Sequence, residues 1–382
     1  MIPRCHLRIG AAMACTMLIA SASAQPVPTH DDVVYANVGG QDLALDLYLP
    51  DADPGPYPVV IWIHGGGWAG GSNVSPAFVR PLGAMGVAVA SVQYRLTSQE
   101  GQFGDEPVIW PAQIHDVKAA VRFLRANAAM YNLDPDKFAS WGTSAGGHLS
   151  AVLGLSAGDA FLEGDVGDHV GTSSSIRVAV DYFGPTDLMR MDLDVTDPPG
   201  STIEHDAPTS PESNLVGWDQ PGQGIGDIRA NIGNPNPPYD ALVPLVLSAS
   251  PYVMVSQGDA PIFIGHGAQD TSVPMGQSER LAERCLERAV VHEFVISPDA
   301  GHGSLGQGVD YAALHFLTTH LGIGDRFCEA DVNNDGRLTP ADLSTWIAAF
   351  NAESPSCDQN DDGVCSPADF SAWVAKYNTG CS

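Results

Sequence analysis

The pentapeptide Gly142-Thr143-Ser144-Ala145-Gly146 sets a serine between small residues, after the apolar stretch Phe138 to Trp141 and before the helix-compatible run Gly147 to Leu155. A strand that turns sharply into a helix at such a serine presents its hydroxyl at the tip of the turn, as a nucleophile must be presented. The helix start behind it offers N–H groups and positive dipole to developing negative charge. One such pentapeptide is weak evidence in a chain with 41 glycines, but a second motif answers it. His64-Gly65-Gly66-Gly67-Trp68 ends another predicted strand, and glycine lets backbone approach a substrate closely. The N–H groups of Gly65, Gly66 and Ala145 are therefore candidate donors to the oxyanion of an acyl carbon becoming tetrahedral.

A serine hydroxyl needs a base, and the base needs an orienting acid. Asp270 stands just past the predicted strand Pro261 to Gly265, and His302, in Ala300-Gly301-His302-Gly303, just past Val290 to Ile296. Asp259 precedes its strand and so belongs to the wrong end of a sheet. His148, His315 and His320 fall on predicted helices, where a histidine is more often structural. The chemistry implied is ester or amide cleavage through an acyl-enzyme, with no catalytic cofactor.

These residues require a scaffold of alternating elements. Val33 to Val38 and Leu43 to Leu49 read as an antiparallel pair, and Pro58 to His64, Val87 to Val92, Phe138 to Trp141, Ile176 to Tyr182, Pro261 to Gly265 and Val290 to Ile296 as buried strands. Pro111 to Met130 and Met275 to Arg288 have helical spacing. Strand alternating with helix predicts an α/β fold with a doubly wound, mostly parallel sheet. The segment 188–256, rich in Pro, Gly, Ser and Asp, breaks the alternation and is too long for an ordinary connection. It is expected to form an insertion over the active site, the alternative being a disordered excursion.

Through HGGGW at 64–68, GTSAGG at 142–147, GPTD at 184–187, SPES at 210–213, HGAQDTSVP at 266–274 and AGHG at 300–303, residues 33–321 resemble the α/β-hydrolase esterases of the hormone-sensitive-lipase and acetylxylan/feruloyl-esterase groups. The resemblance implies a Ser-Asp-His triad in that chain order, acting on small acyl esters or on ester groups of plant polysaccharide. Two competing readings are a serine peptidase of the prolyl-oligopeptidase type and a non-catalytic scaffold or adhesion protein. The first would bring a large preceding domain and an aromatic residue after the nucleophile, where this chain has Ala145; the complete triad set argues against the second.

The N-terminus carries Arg4 and Arg8, an apolar run from Ile9 to Ala20, and Ser-Ala-Ser-Ala before Gln25. This predicts a secretory signal peptide over residues 1–24 and an exported protein with no membrane span. A formal charge of −28 argues against nucleic-acid partners, because the field would repel polyphosphates. Of seven cysteines, Cys328, Cys357, Cys365 and Cys381 crowd into the last 55 residues, where export favours two disulfides of undetermined connectivity. Cys285 is expected to be a buried thiol.

The catalytic unit is bounded at about 25–322, and a second, small all-α unit at 328–382. There Asp331, Asn333, Asp335, Arg337 and Asp342 occupy positions 1, 3, 5, 7 and 12 of a calcium loop, with Gly336 at position 6. The pattern recurs 27 residues later as Asp358, Asn360, Asp362, Val364 and Asp369, and the following helices match too, Trp346 with Trp373. Arg337 and Val364 would contribute carbonyls, and two structural calcium ions are expected. The twin loops resemble the dockerin module, which implies a cohesin-like protein partner; the alternative is a calcium-stabilised domain without one.

Overall fold

The computed structural model describes residues 26–51, 54–73, 79–104, 107–323, 330–332, 338–352, 354, 357–359 and 364–379. The segment 1–24 predicted as a signal peptide, the predicted calcium-ligand positions Asn333, Asp335, Arg337, Asn360 and Asp362, and Cys328 and Cys381 lie outside them.

Eight strands form one sheet: β1 (His30–Val38), β2 (Gln41–Tyr48), β3 (Tyr57–Ile63), β4 (Ala88–Val92), β5 (Leu133–Thr143), β6 (Val178–Tyr182), β7 (Ile262–Gly267) and β8 (His292–Ser297), in the order β1-β2-β4-β3-β5-β6-β7-β8. β1 and β2 form an antiparallel pair, and β2 also runs antiparallel to β4. Every pairing from β4 through β8 is parallel, as expected for near-continuous apolar strands covered on both faces. Along β3, Val59, Ile61 and Ile63 enter one apolar core and Val60 and Trp62 the other, which is the period-two alternation of a strand. α2 (Ala112–Ala126) and α3 (Ala145–Leu155) contribute to the first core, α1 (Val79–Ala84) and α10 (Gln307–Leu321) to the second. A third cluster joins α9 (Gly276–Arg288) to β7 and contains the buried thiol of Cys285, which burial pushes up to about 12.

The helix predicted over 111–130 stops at Ala126; residues 127–132 form a turn in which Asn132 takes a positive φ. A short helix, α4 (Ala160–Glu163), follows α3. The insertion is ordered rather than an excursion. It holds α5 (Pro211–Leu215), α6 (Ile225–Ala230), α7 (Tyr239–Ser248) and α8 (Pro251–Met254), with Leu215, Ile225, Ile228 and Val246 fully buried in the first core. Helices this short gain little from propensity, and their stability comes from the buried apolar face.

α11 (Pro340–Asn351) and α12 (Pro367–Thr379) pack around Trp346 and Trp373 with Ala330, Val332 and Cys357. The indole N–H of Trp346 donates to the Cys357 carbonyl at 3.1 Å, and that of Trp373 to the Ala330 carbonyl at 3.0 Å, so each helix holds the residue that precedes the other loop. Cys357 is disulfide-bonded to Cys365. No helix among the described residues is long and apolar enough to cross a membrane.

Candidate active site

Parallel register brings the motifs together. Ile63 of β3 pairs with Gly142 of β5, Thr143 with Tyr182 of β6, and Gly267 of β7 with Ser297 of β8. The segments that follow these strands all leave the same, carboxyl, edge of the sheet, which is where the glycine-rich loop, the serine, the acid and the base sit. Ser144 caps α3 with φ 55° and ψ −123°, a conformation rarely adopted by non-glycine residues. The turn closes only because its flanks lack side chains. A Cβ on Gly142 would meet the Gly146 carbonyl oxygen, and one on Gly146 would meet that of Ile63.

The Ser144 hydroxyl donates to His302 Nε2 at 3.0 Å, and His302 Nδ1 donates to Asp270 Oδ2 at 2.7 Å. The three residues predicted from separate motifs therefore form one continuous hydrogen-bonded chain. Asp259, the alternative acid, instead bonds Ser256 in a turn before β7. Asp270 Oδ1 accepts from the N–H groups of Ser272 and Val273 at 2.8 and 3.0 Å, and His266 Nε2 lies 3.4 Å from Oδ2. Burial alone would raise this carboxyl, but hydrogen bonds from His266, His302 and Val273 outweigh it and hold the acid well below the usual carboxylate range. Asp181, buried at the end of β6, shows the opposite balance: burial pushes it up to about 7 against a single backbone donor, Gly184. Environment thus moves two buried carboxyls in opposite directions, the one bonded to His302 down and the other up.

His266 was not singled out from the sequence. Its ring is fully buried, with Nδ1 accepting from Ser278 Oγ at 2.7 Å and Nε2 at 3.0 Å from the Val273 carbonyl, so it braces the acid from beneath. Phe183, at φ 45°, sets its ring edge-on to that of His302, with centroids 4.7 Å apart.

Gly65, Gly66 and Ala145 line the same cavity as Ser144. A Cβ on Gly65 would stand 3.3 Å from that of Ser144, and Gly66 needs φ +114°. The loop is held by His64, whose ring stacks on Tyr94 at 4.3 Å while the Tyr94 hydroxyl donates to the His64 carbonyl. Ala145, as the first residue of α3, has no intrahelical acceptor. His148 is structural: the Trp68 indole donates to its Nδ1 at 3.2 Å and its Nε2 donates to the Ala249 carbonyl at 2.7 Å. Burial lowers it to about 4, which keeps the ring neutral as this bonding requires. His315 and His320 lie on α10, as expected.

The cavity has a volume of about 970 Å³. The insertion supplies Ile203, His205, Pro211 and Glu212 to its wall, with Ser210 capping α5 through the Ser213 N–H. His205 and Glu212 form a buried pair at 3.1 Å that the sequence did not reveal.

The relatives are esterases by name. The chain is 28% identical over 252 residues to Esterase LipC of Mycobacterium tuberculosis, covering 65% of this chain and 53% of that one. It spans about half the length of the curated relatives LipC, LipQ and LipM. Among solved structures, a truncated carbohydrate esterase from gut microbiota superposes with a TM-score of 0.62 at 29% identity, covering 78% of this chain and 100% of that one. Esterase Est2 of Thermogutta terrifontis gives 0.54 at 26% identity, over 76% and 92%. The family model BD-FAE matches residues 45–285, a stretch that carries the nucleophile turn, the glycine-rich loop and Asp270, and the chain belongs to the BD-FAE family.

Proposed function

We propose that this chain is a secreted serine carboxylesterase that cleaves acyl esters of carbohydrate, acetyl or feruloyl groups on plant polysaccharide being the substrates the resemblance implies. The observation that carries the proposal is the hydrogen-bonded chain Ser144–His302–Asp270 beside the glycine-rich loop. His302 Nε2 takes the Ser144 proton as Oγ attacks the acyl carbon, and the N–H groups of Gly65, Gly66 and Ala145 receive the oxyanion. The imidazolium then protonates the departing alcohol. Water, deprotonated by the same nitrogen, releases the acid and regenerates the serine. The carbohydrate esterase among the structural neighbours supports the choice of a sugar ester. Hydrolysis of p-nitrophenyl acetate, acetylated xylan and methyl ferulate tests the reading. Turnover of the polysaccharide or ferulate ester is the expected result; turnover of the nitrophenyl ester alone would reduce the proposal to a general carboxylesterase, and none at all would favour a scaffold protein.

The C-terminal unit is proposed to hold two calcium ions and to serve as a dockerin-like attachment to a cohesin-like partner. Asp342 and Asp369 are fully buried and Asp331 nearly so, and an oxygen-only donor set with buried carboxylates suits a hard divalent cation. Asp342 and Asp369 also cap their helices, each Oδ2 accepting at 2.7 Å from the N–H of Thr339 or Ser366. Calcium bound between such a carboxylate and Asp331 or Asp358 would tie each helix start to its loop. Chelation is therefore expected to make residues 328–382 a preferred site of proteolysis, read by mass spectrometry of limited digests. Identical digestion with and without calcium would contradict metal binding.

A further inference from the structure

Gln307, Asp310, Tyr311 and Leu314 of α10 all line the cavity that holds Ser144. Their spacing of i, i+3, i+4 and i+7 places them on one face of the helix, while Val309, Ala313, Phe316, Leu317 and Leu321 are buried in the second core. The exposure of this face is graded: Leu314 is buried, Asp310 and Tyr311 are half-buried, and Gln307 is exposed. Asp310 is positioned by the Tyr182 hydroxyl, which donates to its Oδ1 at 3.0 Å; no hydrogen bond occupies Oδ2 among the described residues. Trp62 adds a further aromatic side chain to the same cavity.

The chemistry of the reaction says which half of the substrate meets this face. His302 must pass its proton to the leaving oxygen, so the alcohol lies against His302, and the segment that carries His302 enters α10 only five residues later, at Gln307. A carboxylate, an amide and aromatic rings on one wall suit an alcohol with several hydroxyl groups and apolar C–H faces. We propose that Asp310 is a specificity-determining residue that accepts hydroxyl hydrogen bonds from a sugar alcohol, with Tyr311 and Gln307 completing the subsite. This rests on the serine-esterase reading above. Burial pushes the Asp310 carboxyl up to about 6, against the lowering effect of the hydrogen bond from the Tyr182 hydroxyl.

The test compares Asp310→Asn with wild type. Asparagine keeps an oxygen for Tyr182 and replaces the outward acceptor with a donor, so the fold is retained; thermal unfolding checks this. The ratio of kcat/KM for O-acetylated xylo-oligosaccharide to that for p-nitrophenyl acetate, which has no hydroxyl group, is expected to fall about tenfold or more, chiefly through KM. An unchanged ratio, or an equal loss on both substrates, would overturn the proposal and leave Asp310 a brace for Tyr182. Wild type that cleaves the nitrophenyl ester but handles the sugar ester no better than methyl acetate would overturn it while sparing the serine esterase. If wild type cleaves no ester, both fall.

Discussion

Replacing Ser144 with alanine is expected to lower kcat on p-nitrophenyl acetate by a factor on the order of 10⁵ to 10⁶, with the melting temperature nearly unchanged. The effect is large because Oγ of Ser144 is the hydroxyl bonded to His302 Nε2. His302 Nε2 receives the hydroxyl at 3.0 Å, and without that atom the base has no bound nucleophile to deprotonate. The residual rate over water comes from the backbone donors and substrate binding that remain. Stability should hold because alanine and serine pay a similar steric cost at φ 55°, and the side-chain hydrogen bond lost is an exposed one, to His302. Undiminished turnover in this variant would remove Ser144 from the mechanism, and with it the acyl-enzyme.

Asp270→Asn is expected to cost about 10⁴ in kcat with little change in KM. The hydrogen bonds around the carboxylate determine how the amide must sit. Oδ1 accepts from two backbone N–H groups, Ser272 and Val273, and an NH₂ placed there would oppose two donors. The amide oxygen therefore takes that position, and the NH₂ faces His302 Nδ1, which now holds the acid through Oδ2 at 2.7 Å. Nδ1 must then become an acceptor and the ring proton moves to Nε2, the nitrogen that should take the serine proton. The geometry survives and the base does not. Steady-state kinetics beside Asp259→Asn check the assignment: Asp259 bonds only within its own turn and should leave kcat within about twofold. Comparable losses in the two variants would show a stability effect in place of a tautomer effect.

Local pattern made much of this site legible. The strand-to-helix serine, the glycine-rich loop and the two late loops each carry their signal within ten residues, and short apolar runs between polar breaks overlap all eight strands, although β5 begins five residues before the predicted Phe138. Covalent sequence order also fixed which loops lie at the carboxyl edge, once the strands were taken as parallel. The insertion was recognised by what it lacked, regular alternation, and its Ile203, His205, Pro211 and Glu212 line the cavity that holds Ser144.

The parts that stayed hidden depend on contacts between distant segments. Whether His148 is a ligand, a base or a brace follows from Trp68 and Ala249, which lie 80 and 101 residues away. His266 meets Asp270 only because the turn after β7 brings the carboxylate to 3.4 Å from its Nε2, and the Asp181 carboxyl is raised only because the core closes around it.

The sequence by itself singled out Ser144, Asp270 and His302 as one candidate set, the mostly parallel character of the sheet and the duplicated loop pattern at the C-terminus, because side-chain type, glycine placement and hydrophobic period are local properties. The tertiary structure alone decided which carboxyl remains ionised, how the imidazole is held, and that one face of α10 shares the cavity with Ser144. Burial, field and shape at a point are sums over segments that only packing brings together.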